Sequence, residues 1–118
     1  MKDMKEEECI FCKIGGGEIP SEFLYQDGTI FAIRDIRPKA PVHLLIIPFA
    51  HLEALTEEPE SQIEIMHKLL VAATHLARQQ NVADAGYRLV INQGPNSGQE
   101  VPHLHMHLLA GRPLRGMG

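Results

Sequence analysis

The sequence predicts an α+β fold, a five-stranded antiparallel sheet carrying one long helix and a short N-terminal helix. Three observations lead there. Residues 59–80 carry apolar side chains at three- and four-residue steps, which is the period of a helix with one buried face. Five short segments are apolar or alternating and are bounded by glycine, proline, asparagine or aspartate, as strands are. Hairpin signals and short links between those segments favour antiparallel neighbours.

Each element has its own justification. Cys9-Ile10-Phe11-Cys12-Lys13-Ile14 is a short apolar helix or turn, ended by Gly15-Gly16-Gly17. Residues 22–35 form a hairpin, with Asp27-Gly28 as its tight turn and Ile30, Ala32 and Arg34 alternating against Phe31, Ile33 and Asp35. Arg37-Pro38-Lys39-Ala40-Pro41 is a stiff loop, because each proline fixes its own φ and restricts the residue before it. Val42 to Ile47 is a third strand, stopped at Pro48. Pro59 suits a first helical turn, where its missing N–H is no loss. Ile63, Met66, Leu70, Ala73 and Ala77 then form the apolar stripe, with Ile65, Leu69, Ala72 and Leu76 beside it. Residues 87–92 are a fourth strand and residues 103–110 a fifth, ended by Gly111.

Composition bounds the function. The chain has 118 residues, 44% hydrophobic and 22% charged, which is ordinary globular usage and one domain's length, residues 1–118. Its longest apolar stretch, Val42 to Ala50, is interrupted by His43 and Pro48 and falls far short of the ~20 residues of a membrane span. The charged start, Met1-Lys2-Asp3-Met4-Lys5-Glu6-Glu7-Glu8, has no apolar core of a signal peptide, so a cytoplasmic location is expected. A net charge of −4 argues against a nucleic-acid partner, while leaving room for a small anion in a locally positive pocket.

Seven histidines stand out, three of them in His103-Leu104-His105-Met106-His107. In a strand these three share one face, leaving Leu104, Met106 and Leu108 for the core. Neighbouring histidines would sit roughly 6.6 Å apart and the outer two about 13 Å, too far for all three to ligate one ion in regular strand geometry. The row therefore holds several roles side by side, and imidazole can be nucleophile, base or ligand near neutral pH. His67 and His75, eight residues apart on the long helix, read as surface residues. The loop containing Asn92, Gly94, Gly98 and Gln99 leads straight into the histidines, and backbone N–H groups in such a loop can cradle phosphate oxygens. Cys9-x-x-Cys12 is the only cysteine pair, and two thiolates at this spacing can supply half of a tetrahedral zinc site or simply be small buried side chains.

These residues together resemble the histidine-triad (HIT) nucleotide-binding proteins, whose signature alternates three histidines with apolar residues. The resemblance covers nearly the whole chain. It rests on Cys9 to Ile14 with Glu18-Ile19-Pro20, on Asp35 to His43 with Ile46-Ile47-Pro48, on Gly86 to Asn92, and on the triad through Arg112. The nearest match is the Hint branch, purine nucleoside phosphoramidases, in its bacterial zinc-containing form. The resemblance implies that His105 is the nucleophile, attacking the α-phosphorus of a nucleoside phosphoramidate to form a nucleotidyl-histidine that water hydrolyses. It implies that His107 stabilises the phosphate and that His103, with His43 nearby, orients the site. Asn92, Gln99 and the segment Gly98, Glu100 and Val101 would hold the phosphate. Asp35 would accept from the ribose hydroxyls, and Phe11, Ile14, Ile36 and Leu45 would form the purine slot. Structural zinc would be held by Cys9, Cys12, His51 and His103. The resemblance further implies a homodimer in which the sheet continues across a two-fold axis.

The sequence departs from the family at Glu100, where many members carry serine or threonine, and at its end, Gly116-Met117-Gly118, in place of a Trp-Pro-Pro-Gly tail. Two other functions compete with the phosphoramidase. One is a Fhit-like dinucleoside polyphosphate hydrolase, whose members also carry Val-Pro before the triad. The other is a nucleotide-binding regulatory or scaffold protein with incidental catalysis.

Overall fold

The computed structural model describes residues 8–56 and 61–118. Its elements run in the order α1 (Ile10–Gly15), β1 (Tyr25–Gln26), β2 (Ile30–Arg34), β3 (Val42–Pro48), α2 (Ser61–Gln79), β4 (Tyr87–Val90) and β5 (Met106–Ala110), with a 3-10 turn at Pro95–Ser97 between the last two. The sheet has five strands in the order β1-β2-β3-β5-β4, and every neighbouring pair is antiparallel. The expected α+β class and strand count hold. Pro59, the expected helix start, lies outside the described residues.

Local chemistry explains the turns. The Asp27 carboxylate accepts from the Thr29 and Ile30 amides at 2.6 and 2.8 Å and so closes the β1–β2 hairpin. Helix α1 runs one residue into the glycine triplet. Gly15 closes it, and a side chain at this position would meet the Phe31 ring at 3.0 Å and the Phe49 ring at 3.1 Å.

The two sheet faces carry different loads. On one, Ile30, Ala32, Leu44, Ile46, Leu104, Met106, Leu108 and Ala110 pack against Leu69, Ala72, Ala73, Leu76 and Ala77 of α2. The alanines let the helix approach the sheet closely. The inward stripe of α2 is therefore rotated from the expected one: Ile63 and Leu70, expected inside, are 68% and 47% exposed. On the other face Phe31, Ile33, Leu45 and Ile47 pack against Cys9, Phe11 and Ile14 of the α1 segment. Alternation along β3 thus sends His43 and Leu45 to the α1 side and Leu44 and Ile46 to the α2 side.

Strands β4 and β5 are shorter than expected. The β3–β5 ladder starts at Ile46↔Met106, so His103, Leu104 and His105 precede the strand. Pro48 has no N–H to extend the ladder, and its carbonyl takes the His103 ring instead, at 2.8 Å. The Leu104 amide turns to the Leu52 carbonyl. Strand β4 pairs with β5 only as far as Val90↔His107, so Ile91 and Asn92 also lie beyond the sheet. His67 and His75 are exposed, as expected, with His75 resting on the Tyr25 ring.

Candidate active site and metal centre

A cavity of about 430 Å³ opens between α1, the β2–β3 connection and the start of β5, in the size range of small-molecule sites. His43, His105 and His107 line it, together with Phe11, Ile14, Asp35, Ile36, Leu45, Asn92, Gly98, Glu100 and Val101. Two expected residues do not. Gln99 is spent on the loop: its amide oxygen accepts from the Gly94 N–H at 2.9 Å, and its NH₂ donates to the Glu53 and Val101 carbonyls. It braces the loop that carries Gly98, whose φ of +84° glycine tolerates. His103 is fully buried and faces the cysteines.

The ring nitrogens are wired by neighbours that can each play only one role. The Lys39 N–H donates to His43 Nδ1 at 3.0 Å, which leaves the proton of neutral His43 on Nε2. That N–H donates to His107 Nδ1 at 2.9 Å, so His107 carries its own proton on Nε2. The sheet register makes this contact: Leu45 pairs with His107 and His43 with Leu109, so His43 and His107 are diagonal neighbours on one face. His105 Nδ1–H donates to the His103 carbonyl at 2.7 Å, which leaves a bare lone pair on Nε2. The His105 ring is clasped edge-on by Phe11, with centroids 5.0 Å apart, and lies 5.0 Å from the His107 ring.

Electrostatics favours the neutral forms of His43 and His107. Burial, then His105, His43 and Lys39, lower the His107 pKa to about 4 against the opposing pull of Asp35. Burial lowers that of His43 too, opposed by Asp35 and assisted by Lys39. Asp35 accepts from the Arg37 N–H at 2.8 Å and lies 3.4 Å from His43 Nε2. Asp35, His43 and His107 are near enough to share an ion. Their wiring opposes it: ligation through His43 Nε2 would move the proton to Nδ1, into the Lys39 N–H.

The second cluster is wired for a metal. His103 Nε2–H is committed to the Pro48 carbonyl, so Nδ1 offers a lone pair, 3.3 Å from Cys9 Sγ and 3.6 Å from Cys12 Sγ. His51 Nδ1 lies 3.2 Å from Cys12 Sγ, while its buried Nε2 has no partner among the described residues. Zinc bonds of 2.3 Å to sulfur and 2.0–2.1 Å to nitrogen at tetrahedral angles put ligand atoms roughly 3.6 Å apart. These spacings fit, and the four donors lie within 4.8 Å of one another. Neither cysteine forms a disulfide. Four protein donors would close the coordination sphere of a zinc ion held here, which suits a structural role.

Sequence reading overlooked several residues. Ile33 and Leu109 line the cavity because they share the face of His43 and Leu45, a period-two signal present in the sequence. Arg34, Arg37 and Lys39 also line it. The carbonyls of Pro48 and His103 and the amide of Lys39 carry no side-chain signal at all.

Comparison with known proteins agrees with this geometry. Residues 16–114 match the model of the HIT domain. The chain is 44% identical over 111 residues to the purine nucleoside phosphoramidase of Escherichia coli K12, covering 94% of this chain and 93% of that protein. It is also 44% identical over 116 residues to the 14 kDa zinc-binding protein of Zea mays, covering 97% and 90%. Among solved structures, the HIT family hydrolase from Clostridium thermocellum superposes with a TM-score of 0.88 at 44% identity, covering 94% of this chain and 96% of that one. With its fold, its histidine row and these relatives in agreement, the chain belongs to the HIT family.

Proposed function

We propose that this protein hydrolyses the P–N bond of purine nucleoside 5′-phosphoramidates through a nucleotidyl-histidine. One observation carries the reading: the His103 carbonyl accepts a hydrogen bond from His105 Nδ1–H, which leaves the Nε2 lone pair available to attack phosphorus. In the first step Nε2 bonds to the α-phosphorus, the P–N bond breaks, and the amine leaves with its electron pair and takes one proton from solvent. In the second, water attacks the same phosphorus and releases one proton to solvent, the His105–phosphorus bond breaks with its electron pair returning to Nε2, and the nucleoside monophosphate leaves. Splitting the displacement lowers each barrier, and preplaced donors hold the phosphoryl charge.

The surrounding residues take complementary parts. His107 presents Nε2–H to the phosphate oxygens, because His43 occupies its other nitrogen. Asn92 and the backbone near Gly98, Glu100 and Val101 surround the phosphate, while Gln99 acts by bracing that loop. Asp35 accepts from the ribose hydroxyls, and Phe11, Ile14, Ile36 and Leu45 receive the purine. Ile36, 88% exposed beside the cavity, is the apolar surface such a base would cover. Cys9, Cys12, His51 and His103 hold zinc, tying the N-terminus to the catalytic segment. His103 thus positions His105 through its carbonyl, and a zinc ion bound there would hold the His103 ring in place. Residues 1–118 act as one domain, in a homodimer built on β4 and α2. Cysteines without a disulfide at the metal cluster suit a reducing compartment such as the cytoplasm.

Comparing kcat/KM for adenosine 5′-phosphoramidate and diadenosine polyphosphates tests the substrate. The phosphoramidate should be preferred, since the Glu100 carboxylate at the cavity suits an amine leaving group and opposes a polyphosphate. The reverse order would favour the Fhit-like chemistry.

A further inference from the structure

Arg112 follows the last strand, outside the cavity, and is exposed. Its Nη2 donates to the Lys39 carbonyl at 2.8 Å, and its Nη1 to the Pro113 carbonyl at 3.0 Å. Lys39 is the residue whose amide donates to His43 Nδ1. The stiff loop between Pro38 and Pro41 is therefore pinned on both sides of the Lys39 Cα, by Arg112 on the carbonyl and by His43 on the amide. Gly111 brings the tail close enough to do this. Its φ is +103°, and a Cβ there would fall 2.7 Å from the Pro41 Cβ.

We propose that Arg112 is a positioning residue for the reaction, holding the Lys39 loop so that its N–H fixes the tautomer of His43 and thereby the proton that His107 presents to the phosphate. The path is continuous: Arg112 to the Lys39 carbonyl, the Lys39 amide to His43 Nδ1, and His43 Nε2–H to His107 Nδ1 at 2.9 Å. If the Lys39 N–H swings away, His43 is free to carry its proton on Nδ1. Its Nε2 then accepts from His107, and His107 turns a lone pair toward the phosphate, which repels the developing charge. The groups facing His43 are Asp35, Lys39 and His107, with His105 beyond. None of them donates to Nδ1 in place of the Lys39 amide among the described residues. The inference rests on the proposed phosphoryl chemistry for its kinetic half, whereas its tautomer half stands without it.

The test uses the full-length protein with ¹⁵N-labelled histidine, in wild type, Arg112→Ala and Arg112→Lys. Ring-nitrogen shifts report the tautomer directly, and adenosine 5′-phosphoramidate turnover reports its consequence. The wild type should show His43 as the Nε2–H form. In Arg112→Ala that signal should give way to mixed tautomers. Its kcat should fall about tenfold, the scale of one lost charge-assisted hydrogen bond, with KM unchanged within about twofold. The acid limb of its kcat profile should move to higher pH, because the Lys39 N–H no longer opposes protonation of His43. Arg112→Lys, which keeps one donor, should recover most of kcat. Unchanged His43 signals in Arg112→Ala would overturn the proposal, whatever the rates do, and so would a parallel loss of kcat and melting temperature on the Nε2–H tautomer. A wild type that shows the expected tautomer but does not cleave the phosphoramidate would refute the proposed activity, leaving the ring-nitrogen measurement to decide this inference.

Discussion

Each imidazole in the site is defined by which of its two nitrogens is already occupied. His105 turns an Nε2 lone pair to the cavity because Nδ1 donates to a carbonyl two residues back, and His103 turns Nδ1 toward the cysteines because Nε2 donates to Pro48. The alternating motif made three histidines legible as a functional row. It could not assign their roles, since two of the deciding partners are distant in sequence: the Pro48 carbonyl, 55 residues from His103, and the His43 ring, 64 residues from His107. The pKa shifts give a prediction at this scale. The His107 pKa falls from 6.5 to about 4 on folding, so between those values the unfolded chain binds more protons than the folded one. Stability should therefore decline as pH drops from about 6.5 toward 4. His107→Gln should flatten that decline in denaturant titrations at stepped pH, and an equally steep slope would contradict the assigned shift. Asp35 supplies a second prediction. Loss of its acceptor for the ribose, in Asp35→Ala or with a 2′-deoxy substrate, should reduce kcat/KM about ten- to a hundredfold. Equal rates on ribo- and deoxyribonucleotides would remove Asp35 from that role.

Helix α1 shows how much a short element can carry. It has six residues and no side-chain N-cap, so by itself it would be marginal. Cys9 precedes it and Cys12 lies within it, while Phe11 and Ile14 of the same turn line the cavity and Phe11 packs on His105. Two thiols that could hold a metal and part of the cavity wall thus share one short segment. Its existence was readable from Cys-x-x-Cys and the glycines that follow. His51 and His103 as completing ligands came from family resemblance, because the topology that unites them spans 94 residues. In Cys9→Ser/Cys12→Ser, zinc should be absent by metal analysis, and AMP affinity should fall as α1 loosens; full zinc retention would refute the site. At the other end of the sheet, Gly111→Ala should lower stability by about 2 kcal/mol, because a side chain at this φ is strained and meets Pro41. The fifth strand was read three residues too long for a comparable reason: its alternation continues through His103, but its partner strand ends at a proline.

At the scale of the whole molecule, the sheet order leaves β4 on an edge, and α2 exposes Leu70 and Val71 at 47% and 46%. An unpaired apolar edge invites a partner, and a second copy pairing β4 with β4 would continue the sheet. Sedimentation at micromolar concentration should give twice the 13.2 kDa chain mass, and Val71→Glu should shift it toward the monomer. A 13.2 kDa species for the wild type would contradict the dimer. The class, the strand count and the helix were legible because each rests on local periodicity. The rotation of α2 was not, because the choice between adjoining apolar stripes depends on what the sheet presents to them. No described helix is long and apolar enough to cross a membrane. What the fold achieves overall is to place one imidazole lone pair at a cavity of about 430 Å³, with its other nitrogen already committed. The most direct test is a rapid-quench single turnover of adenosine 5′-phosphoramidate followed by mass spectrometry of the digested protein. An adenylyl group should appear on the peptide containing His105, be localised to that ring, decay as AMP forms, and be missing from a folded His105→Ala protein that has lost turnover. Turnover near the wild-type rate in His105→Ala, or the adduct on another residue, would contradict the account.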